Sequence, residues 1–201
     1  MHTHTQYTKR HNVDTDAPRV VPFGEGLGRD CAMAAVLAIV VAIIVLRLWR
    51  ADLSIPIAYL GDAVALGATV KGVIENTWFL SNPSLGAPYG QNFADYPMSD
   101  YLHLLCLKAL GMVGPTFAWA MNVYFILSFP AIAAASVWVL RRLGVSVWPS
   151  ILASILFTFI PFHLYRNTQH LFSSAYFCIP FVFYAALRLA LGQTIGSGIR
   201  N

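Results

Sequence analysis

Charge is the scarcest property of this chain. Only 11% of its 201 residues are Asp, Glu, Lys or Arg, against roughly 25% in ordinary soluble domains. With 57% hydrophobic positions and a mean hydropathy of +0.61, that scarcity excludes a water-soluble domain and points to an integral membrane protein. Cysteine is nearly as sparse. Cys31, Cys106 and Cys178 stand apart in apolar surroundings without C-x-x-C spacing, which argues against a disulfide framework or a thiolate metal site and for small buried hydrophobes. The motifs G-x-x-x-x-G-K-S/T, G-x-S-x-G and H-E-x-x-H are also missing, so a phosphate-cradling loop, a serine elbow and a zincin are unsupported. A net charge of +4 and a pI near 9.1 would suggest nucleic acid in a soluble domain. Here the basic residues flank apolar runs and report topology instead, so no nucleic-acid partner is indicated.

What is present in abundance is apolar sequence, divided into four runs. Residues 1–30 are polar, mixed in charge and rich in Gly and Pro, the composition of a disordered tail. Their acidic residues and length do not match a cleaved signal, which needs a short basic start. The run 31–49 is long enough to cross about 30 Å of hydrocarbon, with Arg47 and Arg50 able to snorkel beside Trp49. Residues 117–140 form a second span, kinked at Pro130 and closed by Arg141 and Arg142; 147–161 and 171–191 form the third and fourth, and 192–201 are a glycine-rich tail. The expected fold is therefore all-α, a polytopic membrane protein with four transmembrane helices and a long outer loop, 52–115, carrying interfacial helices.

Orientation follows from basic residues near the spans. With the N-terminus cytoplasmic, the inner side holds eight (Lys9, Arg10, Arg19, Arg29, Arg141, Arg142, Arg188, Arg200) and the outer side five (Arg47, Arg50, Lys71, Lys108, Arg166) spread over a longer stretch. An inside N-terminus is predicted. The loop 52–115 and the connection FHLYRNTQH at 162–170 then share the outer face.

Most of the unusual chemistry lies in that loop. Asp62 is either the N-cap of the helix that follows or an outward-facing general base. That helix carries Leu66, Val70, Val73 and Ile74 at helical spacing, and a second, near 99–110, places Leu102, Leu105 and Leu110 on one side, with Asp100 as its cap or first turn. Lys71 and Glu75, at i and i+4, form a helical ion pair or free Lys71 for an anionic group such as a lipid phosphate. Between the helices, Asn82, Gly86, Pro88, Gly90, Asn92 and Asp95 alternate with Leu85, Tyr89, Phe93 and Tyr96. This reads as ordered turns, with Asp95 and Asn92 open to a substrate or divalent-metal role. His163, Arg166 and His170 make a titratable and charged cluster at the mouth of the bundle; Arg166 could clamp phosphate and either histidine donate to it.

Y-L-G-D at 59–62, the Lys71 and Glu75 pair, N-P-S-L-G-A-P-Y-G at 82–90, D-Y-P at 95–97 and P-F-H-x-x-R at 161–166 followed by His170 together resemble the GT-C superfamily of polytopic glycosyltransferases, in particular the first outer loop of large bacterial members. The resemblance covers roughly 31–191. It implies transfer of a sugar from a polyprenyl-phosphate-linked donor on the extracytoplasmic face of the inner membrane. Asp62 would then be the base, Asp95 a second acid, and Lys71, Arg166 and His163 would face phosphate, with Glu75, Asn92 and His170 in the substrate site. It implies membrane lipid as partner, no certain cofactor, and further spans beyond Asn201. Two other classes stay open, a transporter or flippase subunit and a non-catalytic assembly partner.

Overall fold

The computed structural model describes residues 26–76, 78, 80–84, 86–92 and 100–193. Asp95 and most of the expected tails lie outside them. Helix α1 spans Leu27–Val45 and begins four residues before the expected span, because Asp30 belongs to the helix rather than to a tail. Its carboxylate is buried and accepts a 3.0 Å hydrogen bond from Arg141 Nε. The helix also ends early: Arg47 is left-handed (φ 51°) and leads into a 3₁₀ turn over Leu48–Arg50, so Trp49 lies past the helix. Ala34, Ala38 and Ala42, every fourth residue, are fully buried, and two of them meet Ala133 and Val137. Small side chains let two apolar helices approach closely where the hydrophobic effect gives no help.

The partner in that seam is α4, Phe117–Arg142, around which the other elements gather. Its start is capped by the Thr116 hydroxyl, which accepts from Trp119 N at 3.1 Å. After it come α5 (Val147–Thr158), α6 (Pro161–Arg166), a 3₁₀ turn (Asn167–His170), α7 (Leu171–Ser174) and α8 (Ile179–Ala190). Three stretches are long and apolar enough to cross a membrane: Leu27–Val45, Phe117–Arg142 and the broken helical run Val147–Ser174. The chain is thus helical and membrane-spanning by length and composition. The expected third and fourth spans are redistributed. Pro161 opens α6 instead of ending a span, since proline fits the first turn of a helix where its missing N–H costs nothing. The fourth apolar helix, α8, has only 12 residues, about 18 Å of rise against about 30 Å of hydrocarbon. Ser150, Ser154 and Thr158 are buried in α5 and return their hydroxyls to backbone carbonyls at 2.7–2.8 Å, which spares an apolar interior unpaired polar groups.

The segment between α1 and α4 contains α2 (Asp62–Glu75), two paired strands β1 (Ser81–Asn82) and β2 (Gln91–Asn92), and α3 (Tyr101–Gly111). The helices match the expected patches, with α2 ending at Glu75, one residue past Ile74. Val70 and Val73 are buried as its periodicity predicts. On α3 the buried residues are Leu104 and Leu107, while Leu102 and Leu105 are exposed, so the inward face is displaced from the one predicted. The turn-rich centre is a short antiparallel hairpin, with Ser81 opposite Asn92 and Asn82 opposite Gln91. Gly86 is required there: its φ is 72°, and a Cβ would lie 3.0 Å from Gly90 O. Val70 of α2 and Leu107 of α3 pack with Phe125, Phe129 and Leu171 into the main apolar core.

Candidate functional site

The segment from Asp52 to Gly61 has no regular structure of its own, and buried side chains from elsewhere fix its path. Asn122, wholly buried in α4, donates through Nδ2 to Leu53 O (2.9 Å) and Ile55 O (2.7 Å) and accepts from Ile57 N at 3.2 Å. Thr168, buried in the 3₁₀ turn, accepts from Ala58 N at 3.2 Å. These bonds tie the entry to α2 onto α4 and onto the turn before α7. The turn itself is bent by Asn167, which sits at φ 38° and whose Oδ1 accepts from Gln169 N at 2.8 Å. Two pieces of chain more than a hundred residues apart are thereby brought side by side.

At their junction Asp62 Oδ2 lies 3.6 Å from His170 Nδ1, with the carboxylate 74% exposed and the imidazole 31%. Asp62 is the first residue of α2, and the N-cap position is held by Gly61 at φ 54°, so of the two readings open for Asp62 the N-cap does not hold. Asp100 likewise sits at the start of α3 without a side-chain cap bond. An accessible carboxylate oxygen beside an imidazole can accept a proton from a hydroxyl, while a positive imidazole or a helix N-terminus steadies the charge.

Lys71 Nζ and Glu75 Oε1 are 3.9 Å apart, both about half exposed. Lys71 stands between two cavities. On one side a recess of about 280 Å³ is lined by Tyr59, Val64, Phe117 and Met121; on the other a recess of about 300 Å³ is lined by Glu75, Asn76, Asn82 and Ser84. The ammonium is 5.9 Å from the Phe117 ring centre. Lys71 thus lines both recesses, each of which mixes apolar and polar surface.

The other expected residues fall elsewhere. Arg166 lies against the Phe162 ring, 5.4 Å from its centre, with no carboxylate partner among the described residues. Asn92 is exposed in β2. Asp95 lies outside the described residues. His163 does not join the surface cluster: it is fully buried, stacked on Phe129 at 4.0 Å. Its Nδ1–H donates to Thr158 O at 2.8 Å, and the Ser128 hydroxyl, 2.8 Å from Nε2, is also 2.6 Å from Phe125 O. Tyr176 donates to Phe157 O at 2.8 Å. The two side chains serve carbonyls stranded where α5 stops before Pro161. Among the described residues no group of three His, Cys, Asp or Glu is placed to hold a metal ion. Cys31 and Cys106 are half-buried, but Cys178 is exposed, against expectation.

Two polar side chains that pack inside the fold near the site escaped sequence reasoning. Asn122 was visible as a lone amide inside an apolar run, a residue type that needs partners at that depth. His103 of α3 hydrogen-bonds the Tyr124 hydroxyl and stacks on Phe172 at 5.4 Å. Burial holds its imidazole below the ordinary histidine value, with Asp100 opposing the shift. No family model, curated protein or solved structure matches this chain.

Proposed function

We propose that this chain is a glycosyltransferase, or the N-terminal part of one, that takes sugar from a polyprenyl-phosphate-linked donor on the extracytoplasmic face, with its N-terminus in the cytoplasm and α8 in a fourth crossing. The observation that carries the reading is the Asp62–His170 pair, formed where the first outer loop meets the connection after α5. Asp62 accepts the proton of the acceptor hydroxyl as that oxygen bonds to the anomeric carbon. The bond from that carbon to the donor phosphate breaks, and the lipid phosphate leaves with the electron pair. His170 orients Asp62. Lys71 and Arg166 supply positive charge for the phosphate, and the recesses on either side of Lys71 offer it polar groups next to apolar surface. Asn92 extends the acceptor side, Asp95 serves as the second acid, and Glu75 holds Lys71 in place.

The test is sugar transfer by the full-length protein from a radiolabelled polyprenyl-phosphate sugar. Asp62→Asn is expected to lower turnover by about 10²–10⁴-fold, the usual worth of a positioned base, with membrane level unchanged. His170→Gln should cost less, and Asp95→Asn should abolish transfer with membrane level unchanged. Wild-type turnover from Asp62→Asn would sink the assignment.

A further inference from the structure

The face of α1 turned away from the Asp62 site carries a groove that the proposed reaction does not use. Met33, Val36, Leu37 and Val40 of α1, with Trp148 and Ile151 of α5, line a recess of about 500 Å³ that is almost wholly apolar. Its α1 residues recur at three- and four-residue intervals, so they form one stripe along the helix. The stripe lies on the outer surface of a helix long and apolar enough to span a membrane: Val36 is 62% exposed and Trp148 72%. Arg29 lines the mouth of the groove. Arg29 and Trp148 share one end of the bundle, since Asp30 bonds Arg141 at the end of α4 and α5 starts five residues later.

Three observations name the occupant. The first is length. From Arg29 to Val40 is eleven residues, about 16 Å of helix, and one leaflet's hydrocarbon is about 15 Å thick. The second is charge. Arg29, Arg141 and Arg142 gather at this end, and among the described residues the carboxylate beside Arg29 and Arg141 is Asp30. Asp30, itself buried, is held by Arg141 at 3.0 Å, whereas the Arg29 side chain stays 74% exposed at 3.6 Å from it. The cluster keeps a positive excess, with its most accessible member at the groove mouth. The third is Trp148, an exposed indole one residue into α5, where an amphipathic ring meets headgroups.

We infer that the α1–α5 groove is a binding site for one anionic phospholipid, its acyl chain along Met33, Val36 and Val40 and its phosphate on Arg29. The site lies in the leaflet at the Asp30–Arg141 end of the bundle and does not depend on the glycosyl-transfer reading.

Two measurements test it on the full chain. In native mass spectrometry from micelles holding equal phosphatidylglycerol and phosphatidylcholine of the same chain length, one phosphatidylglycerol should be retained. The expected preference is about fivefold, the equilibrium weight of about 1 kcal/mol per basic residue near an anionic headgroup. Arg29→Gln should bring the ratio close to parity and Arg29→Lys should keep it. Equal retention by the wild type, or a preference that survives Arg29→Gln, overturns the headgroup assignment. In membranes, a benzophenone amino acid replacing Val36 should cross-link to phospholipid. A cross-link to a second copy, to the residues before Gly26, or none to lipid overturns the groove assignment.

Discussion

Asn122 concentrates an unusual amount of structural information in one side chain. It satisfies three backbone groups of the 53–57 segment from a position with no exposure. Replacing it with leucine keeps the branched shape but strands two carbonyls and one N–H. Asn122→Leu is expected to cost about 2–4 kcal/mol and to raise deuterium uptake at Ile55, Ile57 and Ala58 selectively, which peptide-resolved exchange would show; unchanged uptake there would mean that the segment is held some other way. His103 offers a second prediction, with its sign set by linkage. Its folded imidazole resists protonation, so the unfolded chain binds the proton first. The His103 contribution is complete above the ordinary value of about 6.5 and is lost as pH falls below it toward the lowered folded value. His103→Phe keeps a ring against Phe172 without a titrating group. Thermal unfolding in detergent at about pH 7 and pH 5 should show a smaller acid-induced loss in that variant than in the wild type; an equal loss would discount His103.

Among elements, α2 and α3 meet in close contact. Gly111 closes α3 against Ile74 of α2, and a Cβ there would sit 2.5–2.7 Å from the Ile74 side-chain carbons. Gly111→Ala is therefore expected to destabilise by about 1–3 kcal/mol, measured by thermal unfolding, with much of the loss recovered in the double variant Gly111→Ala, Ile74→Ala. A loss that the second change fails to relieve would place the strain elsewhere. The α5–α6 junction follows a different logic. Its break at Pro161 strands carbonyls in an apolar setting, and His163 and Tyr176 donate to them, the compensation that a broken helix needs away from water. That requirement explains why a histidine read as part of a surface cluster is wholly buried. A motif such as P-F-H-x-x-R has two histories that sequence alone does not separate, one as ligand contact and one as helix repair.

For the whole molecule, the two ends of the bundle differ in chemistry. One end gathers Asp30, Arg141 and Arg142, joined by the 3.0 Å pair between Asp30 and Arg141. The other presents the loop, the Asp62–His170 pair and the chambers at Lys71. The proposed orientation puts the first end in the cytoplasm, and labelling decides it. A cysteine introduced at Ser84, in the exposed hairpin, should react with an impermeant thiol reagent in intact cells. One at Ser146, also exposed, should react only after permeabilisation. The reverse pattern inverts the topology.

Composition and periodicity by themselves determined the helical membrane-spanning class, the extent of α4 and the existence of α2 and α3. These depend on local properties: apolar run length, a 3.6-residue repeat and the punctuation of Gly and Pro. The candidate site was legible as a set of residue types, since carboxylates, Lys71 and the 163–170 cluster stand out against so apolar a background. Which of them meet was not. Asp62 reaches His170 because Asn122 and Thr168 fix the path between α1 and α2, and His163 leaves the cluster because the carbonyl of Thr158 needs a donor. Asp30 looked like part of a polar tail until its partner, 111 residues away, was seen. Pairings over such separations leave no periodic trace in the chain, because they arise from buried polar groups finding partners once the helices have packed.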